Sequence, residues 1–178
     1  MSSTLTFAEN CKYTYSTEGS KLGWTAFKTA KKIGVKGEFT KFRFASLESI
    51  SLVKLLEQSA FTLDASSVAT GLPIRDKTIA KFFFGKLVGG TSIKGHVVRV
   101  EGDNVYVSIG MNDVTKTVKM TWKYQEDLIA LTGKIDVMDF ALGMALESIA
   151  KACKAKHKGK TWSDVELHTN IKIKKYCK

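Results

Sequence analysis

Apolar and polar positions alternate with period two along much of the chain, most plainly near its middle. Val118, Met120, Trp122 and Tyr124 interleave with Thr117, Lys119, Thr121 and Lys123. After the polar turn Gln125-Glu126-Asp127, Ile129, Leu131, Ile135 and Val137 share one parity, and Leu128, Ala130, Thr132, Lys134 and Asp136 the other. Successive side chains of a strand point to opposite faces. The stretch Val114–Val137 therefore predicts a hairpin with one apolar and one wet face, the unit of an antiparallel sheet laid over a core or a cavity. The same alternation runs through Asn104–Met111 and, most cleanly, through Val165–Lys174. Further strands are expected within Thr4–Tyr15, centred on Lys12–Tyr15, and, after a turn at Glu18–Lys21, over Leu22–Lys31. Others are expected at Ile33–Phe39, Ala60–Asp64 and Thr91–Glu101, the last joined to Asn104 by a Gly102-Asp103 turn.

Two stretches change period. Leu47, Ile50, Val53 and Leu56, widened by Leu52 and Leu55, predict an amphipathic helix over Ser46–Gln58, capped by Ser46 or Ser49. Asp139 is expected to cap a second helix from Phe140 to Lys156, with Leu142, Ala145, Leu146, Ile149 and Cys153 as its apolar stripe. Its lysines gather near the C-terminus, where the helix dipole favours positive charge. Pro73, the only proline, suits the first position of a short helical turn ahead of Phe82-Phe83-Phe84. The sum is a mostly β chain: about eight antiparallel strands, two main helices and a short helical turn in one domain, 1–178. Eight such strands with one apolar face can close into a barrel whose interior holds either packed side chains or one small ligand. Closure also removes exposed edges.

Composition agrees with a globular domain, since 44% of residues are hydrophobic and 25% charged. No apolar run approaches the ~18 residues of a membrane span, so no stable membrane insertion is expected. Met1–Phe7 lacks the basic and apolar regions of a signal peptide. The chain reads as either a cytoplasmic protein or a mature form behind an added start Met. Net charge is +11, carried almost wholly by lysines spread over strand faces, with Arg43, Arg75 and Arg99 the only arginines. A solvated exterior accounts for this. The alternative is a basic nucleic-acid-binding barrel module, in which bases stack on surface aromatics beside a basic groove. It ranks lower because the aromatics here share parity with aliphatics rather than with lysines; no nucleic acid partner is expected.

Cys11, Cys153 and Cys177 form no CxxC pair. A closed barrel pairs its first and last strands, which would bring Cys11 toward Cys177; a bridge and two free thiols both remain open at this point. Cys153 and His157 are one helical turn apart, with no third ligand evident, so no metal is expected. Three scattered histidines, His96, His157 and His168, and the lack of a GxxxxGK[ST] or GxGxxG motif leave no catalytic residue to name. Arg75-Asp76 reads either as a structural link for its turn or as a headgroup contact made by Arg75.

The order and spacing of several motifs resemble the YceI-like family over about Tyr13 to Ile173. Val35-Lys36-Gly37-Glu38-Phe39 is similar to its early V-x-G-x-F strand. Asp64–Gly71, then Arg75-Asp76, then Phe82-Phe83-Phe84 resembles its "ASI-T…RD…FF" segment. Met111–Val118, Asp139-Phe140 and Trp162–Val165 resemble its "GVTK", "DFG" and "GD-V" elements. Two departures bear on the cavity mouth: no glycine follows Asp139-Phe140, and the 46–58 helix is longer than usual. The resemblance implies an eight-stranded antiparallel lipocalin-like barrel around a long apolar tunnel that binds an isoprenoid or fatty-acyl amphiphile. It further implies periplasmic export, a homodimer and no catalytic group. By periodicity alone the aromatic side chains suit a filled core; the resemblance implies that they line a tunnel. The ligand-lining set it implies is Trp24, Phe27, Phe39, Arg75, Phe82, Phe83, Phe84, Val118, Met120, Trp122, Ile135, Phe140 and Leu142. No cofactor is expected beyond a bound long-chain lipid.

Overall fold

Eleven strands carry the alternation: β1 (Cys11–Lys28), β2 (Ile33–Phe39), β3 (Phe42–Phe44), β4 (Glu48–Ser49), β5 (Ala60–Asp64), β6 (Val68–Ala69), β7 (Ser92–Glu101), β8 (Asn104–Met111), β9 (Val114–Gln125), β10 (Leu128–Asp136) and β11 (Thr161–Cys177). The computed structural model describes residues 10–45 and 47–177. Residues 1–9, Ser46 and Lys178 fall outside it, and with them the start of the Thr4–Tyr15 stretch and the Ser46 cap.

All pairings are antiparallel, in the order β3-β5-β7-β8-β9-β10-β11-β1-β2-β6, with β4 added to β1. The two ends of that path belong together. β2 and β3 are one stretch of chain bent at Thr40-Lys41, and β5 and β6 are one stretch bent at the 3-10 turn Ala65–Ser67. These stretches pair on both sides of the bend, Phe42 opposite Leu63 and Phe39 opposite Val68. Thr40 N donates to Ser67 O (3.1 Å) and Asp64 N to Lys41 O (2.9 Å), which carries the pairing across the bend. Eight chain segments thus follow one another round a curled antiparallel sheet, the expected lipocalin-like barrel. The turns at Asn112-Asp113 (φ 55° and 56°) and Glu126-Asp127 (φ 52° and 60°) have both central residues left-handed, the twist that tight two-residue hairpins require.

The seam is the β1–β11 pair, in register from Cys11 opposite Cys177 to Lys28 opposite Thr161. A disulfide joins Cys11 to Cys177 across 166 residues of sequence. The expected turn at Glu18–Lys21 is instead a bulge within one long strand. Ser16 faces Lys172 and Lys21 faces Asn170, so the extra residues loop out, and Ser20 Oγ takes the freed Lys172 N–H at 2.8 Å.

The helices differ from expectation at their ends. The 46–58 helix shrinks to α1 (Leu52–Glu57), capped by Ser51, whose Oγ accepts from Lys54 N at 3.1 Å. Upstream, Thr14 Oγ1 donates to Leu47 O (2.7 Å) and Glu48–Ser49 pairs with β1, which holds that stretch extended. The three-residue spacing of Leu47 and Ile50 is therefore coincidental, and Ile50 is exposed. Pro73 opens a full helix, α2 (Pro73–Phe82). The Phe140–Lys156 helix is broken. Asp136, not Asp139, caps a 3-10 turn at Val137–Phe140 by accepting from Met138 N (2.9 Å), and Ala141 turns left-handed at φ 54°. Only then do α3 (Gly143–Ala152) and α4 (Lys154–His157) begin. Among the described residues no helix is long and apolar enough to cross a membrane.

Candidate ligand cavity

The inward parities of the strands do not meet in solid packing throughout. At the end where β8 and β10 start and β11 finishes, Val105, Ile129, Ile173 and Leu55 of α1 are buried and close the barrel. Tyr15 belongs to the same end. Its hydroxyl bonds Leu55 O (3.1 Å) and Ser59 Oγ, and burial pushes its pKa up to about 12. Toward the other end, under α2 and α3, a cavity of about 620 Å³ remains. That is well within the range of about 300–1,000 Å³ typical of small-molecule sites. Its wall takes Leu22, Trp24 and Ala26 from β1, Val35 and Phe39 from β2, Phe61 and Leu63 from β5, Ile93 and Val97 from β7, and Val107, Ile109 and Met111 from β8. Leu131 and Ile135 of β10 and Val165, Leu167, Thr169 and Ile171 of β11 complete the barrel side, and Ile79 of α2, Leu142 just before α3, and Leu146 and Ile149 of α3 cover it.

Three large side chains stay on this wall because each lies against a glycine directly across the ladder. Trp24 faces Gly37, and a Cβ added there would sit 2.4 Å from Trp24 Cζ2. Phe61 faces Gly95, where the same atom would come 2.4 Å from Phe61 Cε1. Met120 faces Gly133 with 2.8 Å to its Cγ. A missing Cβ on one strand gives the neighbouring side chain room to lie flat along the sheet.

Of the expected lining set, the structure places Trp24, Phe27, Phe39, Arg75, Phe83, Phe84, Met120, Ile135 and Leu142 on the cavity wall. Four stand off it. Phe82 ends α2 on the outside, under the Lys81 ammonium at 5.2 Å. Val118 packs opposite Val107 in the sheet. Trp122 sits at the barrel's edge, its Nε1 donating to Gly102 O (2.9 Å) to close the β7–β8 turn. Phe140 is 1% exposed inside its 3-10 turn, where Asn112 Nδ2 donates to its carbonyl (2.8 Å).

Polar chemistry is confined to a few places. Arg75 donates twice to Thr70, Nε to Oγ1 (2.8 Å) and Nη2 to the carbonyl (2.7 Å). Asp76 accepts from the same threonine's N (2.8 Å) and hydroxyl. The pair therefore locks the turn into α2, while Arg75 still reaches the wall. Lys28, Lys156 and His157 mark the rim by β1, α4 and β11, and no Asp or Glu lines the cavity among the described residues. His157 Nδ1 bonds Thr161 Oγ1 (2.7 Å). Burial, helped by the nearby Lys28 charge, holds the imidazole below its usual pKa. Cys153, a free thiol, also lines the wall. No group of three or more His, Cys, Asp or Glu fit to hold a metal occurs among the described residues. Sequence reading missed this basic rim because residues 28 and 156 meet only in the folded chain.

No protein-family model and no curated protein matches the sequence. Solved structures do share the fold. The chain is similar to a polyisoprenoid-binding domain from Saccharophagus degradans implicated in plant cell wall breakdown, at 14% identity and TM-score 0.67 over 91% of this chain and 97% of that one. It is similar to Burkholderia cenocepacia BcnA at 16% identity and TM-score 0.63, over 90% and 99%. A Campylobacter jejuni YceI protein aligns at 15% identity and TM-score 0.51, over 81% and 85%. At these identities the likeness is one of fold, and it agrees with the YceI-like resemblance read from the sequence motifs.

Proposed function

We propose that this protein binds a long-chain amphiphilic lipid, of isoprenoid or fatty-acyl type, without catalysis, and serves to transport or store it. The observation that carries the reading is the hollow itself. A barrel with side chains to fill its interior instead lays Trp24, Phe61 and Met120 along its wall and keeps about 620 Å³ of apolar space. The fold is shared with a domain described as polyisoprenoid-binding, which agrees. The energetics are adequate. Burying a chain of about sixteen carbons gains roughly 12 kcal/mol at ~0.8 kcal/mol per methylene. An association cost of about 4 kcal/mol or more leaves about micromolar affinity. The nine wall residues of the expected set contribute packing, and Arg75, already held by Thr70, offers at most its outer N–H groups to a headgroup.

The cross-link between Cys11 and Cys177 favours an oxidising compartment, in line with a periplasmic location; a homodimer belongs to the same reading. Organic extraction of purified protein followed by mass spectrometry tests the proposal. A stoichiometric long-chain lipid is the expected result. An empty extract together with no binding of added isoprenoid or fatty acid would overturn it.

A further inference from the structure

The rim of the cavity carries an unusual concentration of positive charge. Two chain segments meet there: 28–32, the end of β1 and its turn into β2, and 154–160, α4 and its turn into β11. Together they hold Lys28, Lys31, Lys32, Lys154, Lys156, Lys158 and Lys160. Backbone hydrogen bonding ties them side by side, with Lys28 opposite Thr161 in the ladder, Thr29 N donating to Lys160 O (2.9 Å) and Trp162 Nε1 donating to Thr29 O (2.8 Å). Of these ammonium groups, only Lys32 forms an ion pair among the described residues, with Asp164 at 2.7 Å. All but Lys28 are exposed. Trp162 lies between two of them, its ring 4.8 Å from Lys32 Nζ and 4.6 Å from Lys160 Nζ. Ile33, next in the chain, is 49% exposed. Lys28, Lys156 and Trp162 belong to the cavity wall as well as to this patch.

We propose that this end of the barrel docks on an anionic phospholipid bilayer, so that the cavity exchanges its ligand directly with the membrane. Several unneutralised ammonium groups on one face repel each other and are relieved by a dense anionic surface. A tryptophan and an exposed isoleucine among lysines match the mixed polar and apolar boundary of a bilayer. The patch contains no arginine, the residue favoured for nucleic-acid recognition, and its tryptophan ring is already covered by two lysine ammonium groups rather than offered to a base. The exchange step rests on the lipid-binding reading above; docking rests on the lysine patch with its tryptophan and isoleucine and is independent of that reading.

Sedimentation with phosphatidylcholine vesicles, with and without phosphatidylglycerol, tests it. The protein should partition to the anionic vesicles and not to the neutral ones, and high salt should release it. The triple variant Lys31→Glu/Lys154→Glu/Lys158→Glu touches no cavity-wall residue. It should lose roughly a hundredfold or more of that partition, at about fivefold per lysine near an anionic surface. The triple variant Lys94→Glu/Lys116→Glu/Lys123→Glu has the same net charge on the outer faces of β7 and β9, and should lose far less. Circular dichroism checks that both variants fold. An equal loss in the two variants, or no partition of the parent protein, overturns the proposal. So does salt-sensitive binding of single-stranded DNA in place of vesicles. Binding of farnesol delivered from detergent micelles is measured in parallel. If farnesol binds but vesicles do not, docking alone fails; if vesicles bind and no lipid enters, the carrier reading alone fails.

Discussion

Replacing Gly37 with Ala tests how the hollow is kept open. The new Cβ would lie 2.4 Å from Trp24 Cζ2, 2.7 Å from Cε2 and 2.9 Å from Cη2, against an ordinary contact of 3.4–4 Å. The indole must therefore move by about 1 Å or more. The sheet lies beneath it and strands flank it, so the open direction is into the cavity. Overpacking of this kind costs about 1–3 kcal/mol, which melting or urea titration will read. Because the displaced ring also consumes ligand space, lipid affinity should fall by about tenfold or more, the equivalent of about 1.4 kcal/mol or two buried methylenes. Gly95→Ala is the harsher control. Its Cβ meets Phe61 Cε1 at 2.4 Å and also Ser108 O at 2.7 Å, a backbone atom that cannot swing away. It should destabilise more than Gly37→Ala. A Gly37→Ala protein with parental stability and parental affinity for an isoprenoid probe would refute the claim that glycine lays Trp24 against the wall.

Other outcomes follow from the same geometry. Removing the disulfide with Cys11→Ala/Cys177→Ala frees a 166-residue loop. Chain entropy puts that at about 5 kcal/mol, and the urea midpoint should drop by roughly 2 M, whereas Cys153→Ala should hardly move it. Ile135→Trp points an indole into the cavity and should abolish lipid binding while the barrel still melts cooperatively; unchanged affinity would place the ligand elsewhere. Arg75→Ala breaks both bonds to Thr70 and should cost about 1–3 kcal/mol; full lipid affinity in that variant would remove any headgroup role for Arg75. Tyr15 keeps its proton to about pH 12 in the folded state, while the unfolded tyrosine loses it near pH ~10. Its contribution is thus complete below pH ~10 and falls away as pH rises toward 12, by about 2–3 kcal/mol in all. Tyr15→Phe should show a correspondingly flatter loss of stability over that alkaline window, measured by urea midpoints against pH.

The sheet was legible in the sequence because period two is a local signal. Val105, Val107, Ile109 and Met111 point inward as their parity requires, and all four are buried. The seam was legible for a topological reason, since closing a barrel brings its first and last strands together. Parity reports a face, however, and not a height along the barrel. Val118, Met120 and Trp122 share one face, yet only Met120 reaches the cavity. The bends that split β2 from β3 and β5 from β6 were hidden as well. They are held by backbone bonds between Thr40, Lys41, Asp64 and Ser67, which carry no hydrophobic signature. The basic rim depends on adjacency between residues 28–32 and 154–160, set only once β1 pairs with β11.

A hollow barrel gives up contacts that a filled core would make, because atoms on a cavity wall lack dispersion partners on one side. Stability must then come from places that leave the interior open, and the structure has three. The end closed by Val105, Ile129, Ile173 and Leu55 is fully packed. The bend between β5 and β6 is fixed by Asp64, whose carboxylate takes the Ser66 N–H and hydroxyl and the Thr91 hydroxyl and is thereby held below the usual carboxylate range. The Cys11–Cys177 bridge acts on the unfolded chain and requires no interior atoms at all. A bound lipid would add a fourth contribution, supplying to Trp24, Phe39 and Ile135 the contacts that the fold withholds and raising apparent stability with its concentration. The disulfide and the ligand should therefore be partly interchangeable. The bridge-free variant gains folded population as lipid is added, and the glycine-filled variant, with its hollow narrowed, gains less.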